Sequence, residues 1–143
     1  MMRDILFRAK AKHNPTLWVY GDYLSTLTKT GEKKHYIKRA EDGLLTPVEI
    51  IPETLGQYTG LTDKNETKVF EGDIVLFEDE CPSNYEYHDC TEMRCGSIEY
   101  GDNCFYITGR IAVEMEDLIY DGKLDVEVIG NTTDSPELLG GVE

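Results

Sequence analysis

The residue types best suited to chemistry in this chain are thiols and an imidazole: Cys81, His88, Cys90 and Cys95, followed by Cys104. Thiolate and imidazole are preferred ligands of zinc, which makes Cys81, His88, Cys90 and Cys95 the candidate metal set. Their spacing is loose, because structural zinc sites pair ligands two to four residues apart and only His88 with Cys90, and Cys90 with Cys95, come near that. The reading is therefore ordinary thiols and no cofactor, with zinc as the alternative. A second candidate is the carboxylate pair Glu71 and Asp73 in the stretch EGDIV, which as an active site would divide general acid and general base work between them. They flank a glycine and have no histidine, nucleophile or phosphate-binding glycine loop near them in sequence, so the stretch reads better as a backbone corner. His13 and His35 lie among lysines, lack a ligand-type neighbour and are expected to be solvated. No catalytic residue emerges, and the expectation is a protein that is not an enzyme.

The elements that must position these residues read as mostly β, with little helix. Short β-branched and aromatic runs are repeatedly interrupted by Gly, Asp and Asn. Trp18-Val19-Tyr20 and Tyr23-Leu24 lead to Lys29-Thr30-Gly31-Glu32, after which His35-Tyr36-Ile37 returns, the pattern of a hairpin with glycine at a positive φ. Asp42-Gly43 is a further turn signal. Pro47 to Pro52 reads as a short strand with proline at both ends, which suits a sheet edge. Gly96 to Tyr100 and Phe105 to Ile107 flank Gly101-Asp102-Asn103-Cys104 as another hairpin, and Val126-Glu127-Val128-Ile129 alternates as a half-buried strand does. Residues 111–120 have room for one to two helical turns ending at Asp121-Gly122. Ser135-Pro136-Glu137-Leu138-Leu139 carries the start signals of a single C-terminal turn. Residues 78–95 read as one long polar loop.

At 143 residues the chain is long enough to bury a core without staples, and it is read as a single domain, 1–143. The opening apolar run, Ile5-Leu6-Phe7, is too short for a secretory segment or a membrane span, so the expected location is the cytoplasm, where four cysteines would stay reduced. The net charge of −14 is unevenly spread. Residues 1–72 hold 11 Lys+Arg against 10 Asp+Glu, while residues 73–143 hold 3 against 18. The acidic half repels phosphate backbones and anionic lipid, so the reading is no direct nucleic acid and no membrane, and it attracts basic protein surfaces. Aromatics interleaved with lysines over 18–39 have the composition of a single-strand stacking surface, but no basic groove is evident in the sequence.

Three stretches carry a family resemblance. Pro52 to Asn65, with Gly60 and Asp63-Lys64-Asn65, comes first; Val69-Phe70-Glu71-Gly72-Asp73-Ile74-Val75 follows; Glu127-Val128-Ile129-Gly130-Asn131 with Ser135 to Leu139 closes the set. Together with Arg3 to Ala9 they resemble the YopX family of phage and prophage proteins. The resemblance implies coiled β-sheets containing an SH3-like barrel, placed at roughly 52–131, a phage origin with the cytoplasm of a bacterial host cell as the location, a tendency toward homo-oligomers and no assigned activity. In such a fold Gly60 and Asp63-Lys64-Asn65 would form a turn, Gly72 would take a conformation other residues resist, Asp73 would accept bonds from turn amides, and Ile74 to Phe77 would enter the core.

The function expected on these grounds is a non-enzymatic phage accessory protein, an oligomeric β module with an acidic face for a basic host or phage protein. Trp18, Tyr20 or Tyr23 is the expected anchor of a homo-oligomer contact. The alternatives are a DNA-mimic inhibitor of a nucleic-acid-binding host protein, its carboxylates standing in for phosphates, or a metal-binding protein built on the Cys/His set.

Overall fold

The computed structural model describes residues 5–39, 46–80, 91–110 and 113–140. The chain forms two compact units, Met1–Gly60 and Leu61–Glu143.

The first unit is an antiparallel sheet. β1 (Phe7–Ala11) lies between β2 (Asn14–Leu27) and the start of β5 (Gly56–Thr62), and β2 pairs onward with β3 (Lys33–Arg39). The turn between β2 and β3 closes where expected. The Thr28 amide donates to the Glu32 carbonyl at 2.8 Å, and Gly31 sits at φ +87°. The proline-bounded segment supplies β4 (Val48–Glu49), two residues paired to β3 at the sheet edge, as its flanking prolines require. Asp42-Gly43 lies outside the described residues. Alternation sends Ala9, Ala11, Val19 and Ile37 to one face, where Ile50 joins them as a fully buried cluster.

The second unit is built on a four-stranded antiparallel sheet. Its order is β12 (Glu127–Asn131), β7 (Asp73–Glu80), β8 (Thr91–Gly101), β9 (Cys104–Ile107). The end of β5 pairs in parallel with β11 (Lys123–Leu124), which forms a hairpin with β10 (Ile119–Tyr120). β6 (Lys68–Phe70) also pairs with β5. Val69, Val75, Phe77, Ile98, Leu124 and Val126 lead a core that Met115 and Leu118 close from a 3₁₀ turn, Met115–Leu118. That turn is all the helix found between residues 113 and 120. The C-terminal turn, α1 (Glu137–Gly140), forms where its start signals lie, with the Leu138 amide donating to the Ser135 carbonyl at 3.1 Å.

β8 changes partner along its length. Residues 91–97 pair with β7 and residues 98–101 with β9, and the change falls beside Gly96. A Cβ on Gly96 would meet the Thr108 carbonyl oxygen at 2.0 Å, so only a residue without a side chain lets the two backbones cross there. The β8–β9 loop has two residues, Asp102 and Asn103, at φ +51° and +68°, the positive pair of a type I′ hairpin.

Two expectations are corrected. The described sheets end in edge strands and are not closed into a barrel, so the SH3-like barrel implied over 52–131 is not reproduced as a closed one. Nor is 78–95 a continuous loop. Glu78, Asp79 and Glu80 pair with Met93, Glu92 and Thr91, so β7 and β8 extend as a hairpin from both sides, and only 81–90 lies outside the described residues. Ladder bonds use backbone groups, and a strand rim exposed to water tolerates the charged side chains that made the segment read as loop.

Candidate functional site

The Glu71-Gly72-Asp73 segment is a corner. Gly72 has φ +91°, its amide donates to the Ile98 carbonyl at 2.7 Å, and its carbonyl accepts from the Thr132 amide at 2.8 Å. Asp73 is buried, and its Oδ2 accepts from the Phe70 amide at 2.7 Å, closing the turn from below. One carboxylate thus faces the backbone of its own turn, which is a structural use.

Two further buried carboxylates share this habit, and composition did not distinguish them. Asp63, 1% exposed, gathers three amides: Oδ1 accepts from Asn65 at 2.8 Å and Thr67 at 2.9 Å, and Oδ2 accepts from Val128 at 3.0 Å. It therefore ties the β5–β6 turn to β12. Asp79 Oδ1 accepts from the Val113 amide at 3.1 Å, and its Oδ2 lies 3.6 Å from Arg94 Nε. Arg94 also pairs with Glu92, so this cluster clasps the base of the β7–β8 extension. The available sequence signal was an Asp followed by Lys-Asn before a strand for Asp63, which reads as a turn; for Asp79 there was none.

Three of the metal candidates, Cys81, His88 and Cys90, lie outside the described residues. Cys95 is half-buried on β8, opposite Leu76, and Cys104 is exposed opposite Gly101. Gly101 lies six residue steps along the strand from Cys95, on the order of 20 Å at the rise of a β-strand, so Cys104 is not positioned to complete a set with Cys95. No cluster of three or more ligand-type side chains occurs among the described residues.

His35 departs from the solvated reading. It is half-buried, stacked on Tyr23 at 5.9 Å between ring centroids, and its Nδ1 shares a hydrogen bond of 2.6 Å with the Tyr23 hydroxyl. His13 is exposed as expected. Of the three proposed interface aromatics, Tyr20 is 45% exposed, whereas Trp18 and Tyr23 are half-buried. Tyr23 packs against the first core and Phe7, which withdraws it from the surface set.

The charged surface divides by unit. Met1–Gly60 holds 9 Lys+Arg and 7 Asp+Glu, a balance of +2; Leu61–Glu143 holds 5 and 21, a balance of −16. Among the described residues the second unit exposes Glu114, Glu116, Asp117, Asp121 and Asp125 around the β10–β11 hairpin, whose Tyr120 is 76% exposed. No described helix is long and apolar enough to cross a membrane.

Comparison with known proteins supports the fold and the kinship. The crystal structure of protein EF1440 from Enterococcus faecalis is similar to this one with a TM-score of 0.55 and 21% identity, over 96% of this chain and 99% of that one. A search of curated proteins finds no match. The family model described as YopX protein matches residues 6–140, nearly the whole length, and the chain belongs to the YopX family.

Proposed function

We propose that this protein is a non-enzymatic phage or prophage accessory protein that binds a basic protein surface through its second unit. The observation that carries the reading is the segregation of charge, −16 in Leu61–Glu143 against +2 in the first unit. A field of that size steers cationic partners and repels polyanions. The carboxylates divide by task. Asp63, Asp73 and Asp79 are buried and spent on backbone amides or Arg94, while those around the β10–β11 hairpin remain in water, beside an aromatic ring that suits an interface anchor.

The test is capture from bacterial lysate with the purified full chain as bait, across a salt series. Basic proteins held at low salt should leave as the Debye length falls from about 30 Å at 0.01 M to about 3 Å at 1 M. The triple variant Glu116→Gln, Asp121→Asn, Asp125→Asn should hold them more weakly at every salt concentration. Partners indifferent to salt, or no partner at all, would refute the acidic-face reading.

A further inference from the structure

The outer face of the first unit has the opposite character. Ile5 to Arg39 holds eight Lys+Arg and two Asp+Glu; of the eight, Lys33 and Arg39 fall by register on the core side, Lys29 lies in the turn, and Arg8 is buried. Register decides which of these side chains share a surface. Arg8 pairs with Tyr20, Lys10 with Trp18, Asp22 with Lys38, and Leu24 with Tyr36. Directly paired residues point the same way and alternate residues share a face, so all of these lie opposite the face that buries Ala9, Val19 and Ile37.

Aromatic rings and cations interleave on that surface. The Arg8 guanidinium lies 4.8 Å and the Lys10 ammonium 5.4 Å from the Trp18 ring centroid, which fixes the indole against β1. Tyr20 stands two residues further along β2 and is open to solvent; Lys38 on β3 is exposed, and Tyr36 is half-buried. Among the described strand residues, two carboxylates share the face. Glu49, paired with Tyr36, is met by Lys12 at 3.3 Å, and Asp22 sits opposite Lys38.

The geometry points to a binding site for single-stranded nucleic acid on this sheet face, with Tyr20 and Tyr36 stacking bases and Lys10 and Lys38 meeting phosphates. Base stacking on aromatic rings accepts any sequence, and neighbouring cations track the backbone. Stacking on a tyrosine ring needs an unpaired base, so single strands are preferred. The expectation of no direct nucleic acid rested on the acidic half of the chain and on the lack of an evident basic groove over 18–39. This face lies wholly within the first unit, and its local charge is positive.

Trp18 is the sole tryptophan, so its emission reports from the site itself. The experiment titrates the full chain with a 15-nucleotide single-stranded oligo-dT, following Trp18 emission and the anisotropy of a labelled copy of the oligonucleotide. Saturable quenching with a matching anisotropy rise is expected, and Tyr20→Ala should weaken it by roughly tenfold or more, the usual cost of losing one stacked base. Lys38→Gln, an exposed change with no core role, should weaken it several-fold. Circular dichroism would establish that both variants are folded. The proposal is overturned if folded protein shows no change in either signal, if both variants bind as the parent does, or if a duplex of equal length binds as tightly. It is also overturned if the emission changes with protein concentration alone, an outcome that assigns the face to a second copy of the chain. No protein partner is present, so the result is separate from the fate of the acidic-face reading.

Discussion

At the scale of single residues, the second unit is organised by aspartates turned inward. Asp63 is the clearest, since one carboxylate satisfies the amides of Asn65, Thr67 and Val128, donors that would otherwise lack an acceptor. Asp63→Ala should lower stability by about 2 kcal/mol or more, because partly buried donors left without an acceptor cost about 1–3 kcal/mol each. Asp63→Asn should cost less, because its carbonyl oxygen can still serve one side of the turn; urea denaturation of both variants measures the difference. Equal, near-zero effects would show that these bonds are replaced by water at no cost. Corner residues were legible as turn formers from the Gly and Asp pattern. Which oxygen serves which amide was not, because Val128 lies 65 residues from Asp63 and only the folded chain brings them together.

At the scale of elements, glycines with different reasons for being glycine give different expected losses. Gly96 sits where β8 leaves β7 for β9, and a methyl group there would overlap the Thr108 carbonyl. The obstacle is backbone and cannot rotate away, so Gly96→Ala should destabilise by about 1–3 kcal/mol or disrupt the crossing. Gly31, at φ +87° with open space around it, pays only for its conformation, and Gly31→Ala should cost about 1 kcal/mol. Thermal denaturation of the pair checks the order. In the cores, Phe77→Ala should cost about 3–5 kcal/mol, as a large buried ring leaves a cavity that neighbours fill only in part. Hairpin turns at Gly31 and at Asp102-Asn103, the edge strand at Val48 and the C-terminal turn were readable because each depends on local backbone preferences. The extended β7–β8 arms were not. Their polar residues carry no core-facing period, and their pairing is a matter of backbone bonds between distant residues.

At the scale of the whole molecule, charge and thiols make separate predictions. Native mass spectrometry with elemental analysis should find the chain without zinc, as the loose spacing of Cys81, His88, Cys90 and Cys95 suggests; stoichiometric zinc would reverse that reading and give the segment 81–90 a structural task. Salt should weaken capture of basic proteins by the acidic unit. The β class, the local turns and the acidic excess of the second half were determined by the amino-acid sequence alone, since each rests on composition or on neighbours a few residues apart, and the YopX kinship was read from the resemblance of stretches spread from Arg3 to Leu139. Tertiary structure decided the rest: the two compact units, the open sheets in place of a closed barrel, the inward use of Asp63, Asp73 and Asp79, and the withdrawal of Tyr23 and His35 from the surface. The gathering of Arg8, Lys10, Trp18, Tyr20 and Lys38 onto one face belongs to that second group. Strand register fixes which side chains share a surface, and register is set by pairings between residues that the linear chain keeps apart.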